Sequence, residues 1–113
     1  MLLNSAEDAM DFIVNDLGNP DCVGILWDIF HANIEDIGFE RSVEIMGSKL
    51  KHIHIADSNR MFPGYGHTDF DSIMTAVKNS GYQEYVSFEC FNKPSPEIVL
   101  TKTREWVEHI RNL

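Results

Sequence analysis

The chain has 113 residues, 43% of them hydrophobic and 11% aromatic, a length that allows one small packed domain and excludes a large one. Nine basic and eighteen acidic residues give a net charge of −9, which disfavours nucleic acid and anionic membrane surfaces as partners. No apolar run approaches the roughly 20 residues of a membrane span, and the first residues lack the form of a secretory signal.

Four helices are predicted from apolar residues at helical spacing. Three of them begin at a residue that can cap a helix N-terminus, namely Ser5, Asp69 and Ser95. The remaining helix, second in chain order, is predicted from the apolar face that runs from Phe39 to Met46, and it ends at Gly47.

Three short strands are predicted between these helices, at 23–28, 51–57 and 85–90. The resulting order, α-β-α-β-α-β-α, implies parallel strands joined by right-handed crossovers. The chain has no linker, repeat or low-complexity tract, so residues 1–113 are expected to form a single unit.

The two faces of this predicted sheet differ, because alternate strand residues point to opposite sides. One face is apolar throughout, as expected of a face packed on helices: Val23, Ile25, Trp27, Ile53, Ile55, Val86, Phe88 and Cys90. The other face has polar and ionisable residues toward the C-terminal strand ends: Gly24, Leu26, Asp28, His52, His54, Ala56, Tyr85, Ser87 and Glu89. A doubly covered open sheet would be apolar on both faces. The asymmetry instead predicts an α/β fold that is part of a (β/α)8 barrel, since a whole barrel needs roughly 250 residues.

Three ionisable residues of the polar face, Asp28, His54 and Glu89, lie at or near the ends of successive strands. Two carboxylates and an imidazole that converge suit a divalent cation such as Mn²⁺, Mg²⁺ or Co²⁺. A carboxylate in such a site can also exchange a proton with a carbon acid. The alternative is an ordinary barrel interior in which these charges are paired internally.

Five segments carry a resemblance to a known family. Residues 2–9 read LLNSAEDA, 27–35 read WDIFHANIE, 52–60 read HIHIADSNR, 63–67 read PGYGH and 87–91 read SFECF. In order and spacing they resemble the xylose isomerase-like barrel superfamily, in particular its D-tagatose 3-epimerase and D-psicose 3-epimerase group. The resemblance implies that the chain is the C-terminal part of such a barrel, with strands six to eight.

The resemblance also implies roles for individual residues. Asp28, His54 and Glu89 match three of the family's four metal ligands, with Mn²⁺ as the first choice and Mg²⁺ or Co²⁺ as alternatives. Glu89 further matches one of the two glutamates that form the family's acid/base pair, and the other has no counterpart in this chain. His31 and Arg60 match residues that hydrogen-bond the oxygens of the sugar.

Several neighbouring residues have a plainer interpretation. His31 could instead cap the following helix, and Arg60 could pair with a carboxylate such as Asp57. We expect His52 to be a hydrogen-bonded histidine of the inner face and not a ligand. The last group, expected in loop, cap or solvated positions, consists of His67, Asp69 and His109.

These observations predict part of a divalent-metal-dependent sugar or sugar phosphate isomerase or epimerase that works through an enediolate. One alternative is a non-catalytic, metal-binding or self-associating remnant of such a barrel. Another is a metal-dependent phosphodiesterase of the apurinic endonuclease type, which the charge of −9 disfavours. Unpaired edges on both outer strands favour a homo-oligomer, in particular a two-fold dimer. Cys22 and Cys90, outside any CxxC or Cys/His cluster, are expected to be reduced thiols of a cytoplasmic protein.

Overall fold

The computed structural model describes residues 5–35 and 38–113, so residues 2–4 of the first resembling segment lie outside the description. Helices and strands alternate along the chain. Their order is α1 (Ala6–Asp11), a π-helical turn (Phe12–Asp16), β1 (Ile25–Asp28), α2 (Ile29–Glu35), α3 (Phe39–Met46), a 3-10 turn (Gly47–Lys49), β2 (Leu50–Ile55), α4 (Phe70–Asn79), β3 (Tyr85–Phe88) and α5 (Pro96–Arg111).

The strands form one parallel sheet in the order β1-β2-β3, which confirms the predicted α/β fold. Asp28 lies opposite His54 on the neighbouring strand, and His54 lies opposite Ser87 on the next. The register therefore brings the C-terminal ends of the three strands together at one edge of the sheet.

The caps expected from sequence are present. Ser5 Oγ accepts the backbone N–H of Asp8, Asp69 Oδ1 accepts that of Ser72, and Ser95 also caps its helix.

The described residues form five α-helices where four were predicted, because α2 begins directly after β1. Asp28 Oδ1 accepts the N–H of His31 at 3.3 Å, the arrangement of a helix N-cap, so no turn residue separates the strand from the helix. Asp28, and not His31, therefore caps this helix.

The hydrophobic core lies on one side of the sheet. Ile53 and Ile55 of β2 and Ile73 of α4 are fully buried, as the predicted apolar face requires. On the opposite face the side chains of Leu26 and Tyr85 are 54% and 78% exposed. The inner face of the sheet is thus open to solvent, and it holds the polar residues.

Two further observations, on membrane-spanning helices and on the cysteines, apply to the described residues. No helix among them is both long enough and apolar enough to cross a membrane. Cys22 and Cys90 are free cysteines, the first exposed and the second half-buried, and burial raises the pKa of the Cys90 thiol.

Candidate functional site

The end of β2 brings an imidazole against a carboxylate from the next strand. Nδ1 of His54 lies 2.6 Å from Oε2 of Glu89, with the two side chains 23% and 53% exposed. The backbone N–H of Glu89 donates to the carbonyl of Ile55 at 2.9 Å, so hydrogen bonding between the strands continues one residue past β3. Backbone pairing therefore fixes Glu89 beside His54.

A side-chain hydrogen bond lies deeper on the same face. Nε2 of His52 is 2.8 Å from Oγ of Ser87, and the rings of His52 and His54 meet edge to face at 5.0 Å. His52 is thus a hydrogen-bonded histidine of the inner face, as predicted. Its ring also restricts the positions open to the imidazole of His54.

Asp28 lies across from His54 in the register, but one of its carboxylate oxygens is used as the cap of α2. In residues 5–35 and 38–113, no group of three His, Cys, Asp or Glu side chains is arranged to hold a metal ion. The structure brings His54 and Glu89 into contact and Asp28 to the adjacent strand end. The donor set, two carboxylates and one imidazole, is chemically suited to a divalent ion.

Arg60 and His31 both contact the ring of Phe30. The guanidinium carbon of Arg60 is 4.8 Å from the centre of that ring, and the ring of His31 is 5.2 Å from it, edge to face. Arg60 has a φ of 65°, and its carbonyl accepts the N–H of Phe91 at 2.9 Å. The loop after β2 is thereby joined to the segment that follows Glu89.

Asp57, which sequence analysis considered only as a partner for Arg60, instead organises this loop. Its side chain is fully buried, and its carboxylate accepts the backbone N–H groups of Ser58, Gly64 and Thr68 at 2.7–3.0 Å. Burial alone would raise the pKa of Asp57, but these N–H groups and that of Gly66 outweigh it and hold the pKa below its usual value of 3.8. The signal that could have revealed this role is an aspartate followed closely by a P-G-x-G turn.

The remaining singled-out residues lie away from the strand ends. His67 is exposed, Asp69 caps α4, and Nε2 of His109 lies 2.8 Å from Oδ1 of Asp71 with both side chains about half exposed. His109 is therefore in a solvated position, as predicted, where it pairs with Asp71 at the surface.

A groove of about 450 Å³ lies along β1. It runs from the small residues of α1 to Asp28 and His31 at the C-terminal end of the strand. The groove is lined by Ser5, Ala6, Ala9, Phe12, Ile13, Val23, Gly24, Ile25, Leu26, Trp27, Asp28, His31, Ala32 and Met46.

Comparison with known proteins gives a consistent result. The model of one protein family, described as Xylose isomerase-like TIM barrel, matches residues 1–113. An L-ribulose 3-epimerase from Methylomonas sp. is 33% identical over 112 residues, covering 99% of this chain and 37% of its own length. A D-psicose 3-epimerase from Enterocloster bolteae is 34% identical over 90 residues, covering 80% of this chain and 29% of its own.

A solved structure resembles the fold. The crystal structure of the 3-keto-D-glucoside 4-epimerase from E. coli superimposes with a TM-score of 0.78 at 30% identity, covering 97% of this chain and 40% of that one. The chain thus spans about a third of the length of the curated relatives that it matches.

Proposed function

Because the chain belongs to the xylose isomerase-like TIM barrel family, we propose that it is the C-terminal part of a metal-dependent sugar epimerase or isomerase. The single observation that supports this most directly is the pair formed by His54 and Glu89, beside Asp28, where three parallel strands end. The relatives are named as epimerases of small sugars, which suggests a ketose or a related sugar as the substrate.

In this proposal Asp28, His54 and Glu89 hold a divalent ion, Mn²⁺ first, with Mg²⁺ or Co²⁺ as alternatives. When bound, the ion would stabilise the negative charge that develops on the substrate's oxygens. The donor types support this assignment. The contact between Nδ1 of His54 and Oε2 of Glu89 also restricts the orientation of both side chains before anything binds.

Glu89 is proposed as the acid/base group. Its carboxylate takes the proton from the carbon beside the sugar carbonyl, the C–H electron pair forms the enediolate, and the same carboxyl returns a proton afterwards. Its side chain is half exposed, so a substrate could reach it from the open face of the sheet. His31 and Arg60 are proposed to donate hydrogen bonds to the sugar's oxygens.

One acid/base group serves one face of the substrate. Inversion at a carbon requires a proton to leave from one face and arrive at the other, and in this proposal the second glutamate implied by the family resemblance has no counterpart among residues 1–113. We therefore propose that the isolated chain exchanges protons with the sugar but inverts it slowly, because losing one member of a cooperating pair costs orders of magnitude in rate.

A non-catalytic role is the second candidate, supported by the open inner face. The exposure of Leu26 and Tyr85 favours self-association, and we propose a homo-oligomer, most simply a two-fold dimer. A cytoplasmic location is part of both proposals, as are the absence of nucleic acid and of membranes among the partners.

Solvent exchange separates the two candidates. The purified chain is incubated with D-fructose, D-psicose or D-tagatose and Mn²⁺ in D2O, and deuterium at C3 is followed by NMR. We expect Mn²⁺-dependent exchange into at least one of these sugars, lost in Glu89→Gln and kept in Glu84→Gln, which removes an exposed carboxylate elsewhere.

Three other outcomes contradict the proposal. Absence of exchange with Mn²⁺ would leave the non-catalytic role. Equal exchange in Glu89→Gln would show that Glu89 is not the acid/base group. Inversion at the roughly 10 s⁻¹ of an ordinary enzyme would show that a second acid/base group is supplied by the chain itself.

A further inference from the structure

The ring of Phe30 is where the two side chains proposed to bind the sugar come together. The guanidinium carbon of Arg60 lies 4.8 Å from the centre of this ring. The ring of His31 meets it edge to face at 5.2 Å, with an interplanar angle of 74°. Arg60 and His31 belong to different segments of the chain, the loop after β2 and the first turn of α2, so Phe30 connects the two segments.

The backbone that carries Phe30 is fixed. Phe30 is the second residue of α2, and Asp28 caps this helix through the N–H of His31. The neighbouring residues Ile29 and Ala32 are buried and belong to the hydrophobic core. The helix therefore places the half-buried ring of Phe30 in a defined position.

Arg60 is held by its backbone but has a flexible side chain. Its N–H donates to the carbonyl of Asp57 at 2.8 Å, and its carbonyl accepts the N–H of Phe91 at 2.9 Å. Its φ of 65° lies in the left-handed region, which is unfavourable for a residue other than glycine and recurs at functional sites. The long arginine side chain still allows many positions for the guanidinium. The contact with Phe30 restricts these positions.

The contact between Arg60 and Phe30 is compatible with ligand binding. A cation that lies over an aromatic face is attracted by the quadrupole of the ring, and this attraction uses none of the N–H groups of the guanidinium. The guanidinium also covers a face of the Phe30 ring. This geometry favours a role of Phe30 through its neighbours over direct stacking of the ring on a sugar.

We infer that Phe30 is a positioning residue, whose ring orients the Arg60 guanidinium and the His31 imidazole toward the oxygens of a bound sugar. The inference rests on the proposed function, since Arg60 and His31 are its sugar-binding residues. Side chains that are already ordered lose less entropy when a ligand binds, so loss of the ring should weaken binding of the sugar. The chemical step is proposed to depend on Glu89, so deuterium exchange at saturating sugar should change less than the affinity.

Binding of a sugar tests this inference. D-Fructose, D-psicose and D-tagatose are titrated in turn into the full chain with Mg²⁺, which does not broaden NMR signals as Mn²⁺ does, and the side-chain signals of Arg60 and His31 are followed. For a sugar that binds, Phe30→Leu should raise the dissociation constant roughly tenfold, the scale of a partly desolvated cation–π contact. Phe30→Tyr keeps the aromatic face and should stay within about twofold of the unaltered chain.

Phe39→Leu is the matched control. Phe39 is also half-buried and also makes an edge-to-face contact, with Trp27 at 6.1 Å, but it lies on α3. Both leucine variants should lose comparable stability in urea unfolding, whereas the affinity for the sugar should fall only in Phe30→Leu. If Phe30→Leu does not fold, Phe30→Met replaces it, because methionine fills irregular space without an aromatic face.

The inference is overturned by an affinity that is unchanged in Phe30→Leu, or that falls equally in Phe30→Tyr or in Phe39→Leu. If the unaltered chain exchanges deuterium and Phe30→Leu keeps its affinity, this inference alone fails. If the affinity depends on Phe30 but the unaltered chain catalyses no exchange, the inference holds and the catalytic proposal fails. A chain that binds none of the three sugars contradicts both.

Discussion

Nδ1 of His54 and Oε2 of Glu89 are 2.6 Å apart, although helix α4 and its loops lie between their two strand segments in the chain. The contact depends on the parallel pairing of β2 with β3, continued by the hydrogen bond from Glu89 to Ile55. On the neighbouring strand, Asp28 lies opposite His54 and also caps α2. Its role as a helix cap and its proposed role as a metal ligand can be separated by substitution.

Asp28→Asn should keep the cap and lose the charge. Asparagine caps helices about as well as aspartate, so we expect the free energy of unfolding to change by less than about 0.5 kcal/mol. Affinity for Mn²⁺, measured by titration calorimetry, should fall roughly tenfold or more. Asp21→Asn, an exposed change of the same kind, is the control. Unchanged Mn²⁺ affinity in Asp28→Asn would remove Asp28 from the proposed ligands.

Asp57 should make the protein sensitive to acid. Its pKa is lowered in the folded protein, so its contribution to stability is present above the ordinary value of 3.8 and is lost as the pH falls through the folded value. Asp57→Asn should cost about 2–3 kcal/mol near neutral pH, because charge-assisted hydrogen bonds are lost. Urea unfolding from pH 3 to pH 7 would measure both effects. A variant as stable as the unaltered chain at pH 7 would show that the carboxylate does not organise the loop.

Gly66→Ala should disrupt the same loop by a steric route. A methyl group at this position would overlap Oδ1 of Asp57 and Oγ of Ser58, both of which are held by hydrogen bonds. We expect a loss of about 1–3 kcal/mol in thermal or urea unfolding. Gly38→Ala is the matched control, because no described residue lies within 4 Å of the added methyl group and the backbone there is extended. Because Gly38 is the N-cap of α3 and alanine caps less well than glycine, we expect a loss of at most about 1 kcal/mol. Equal losses in the two variants would refute the steric argument.

Self-association should depend on the open inner face. The chain of 12.9 kDa is expected to elute as a dimer at micromolar concentration, and Tyr85→Glu should shift it toward the monomer. Leu100→Glu, on α5, introduces the same charge at a residue that is 71% exposed, and it should leave the proportion of dimer unchanged. Light scattering coupled to gel filtration would decide, and a monomer in all three samples would contradict the prediction.

Much of the fold follows from local signals. The caps at Ser5, Asp69 and Ser95 were predicted because side chains bond to backbone N–H groups only three residues away. The apolar alternation likewise predicted which face of the sheet is buried. The separate helix α2 was not predicted, because Asp28 ends a strand and caps a helix without an intervening turn.

The parallel α/β order, the apolar and polar faces, and the residue types at the strand ends could be predicted from the sequence, since these depend on periodicity and local hydrogen bonding. Three contacts are seen only in the folded chain: Glu89 with His54, Arg60 with Phe30, and Asp57 with backbone N–H groups from across its loop. Those partners are brought together by strand register and loop closure. Both depend on the packing of distant segments, which no local pattern encodes.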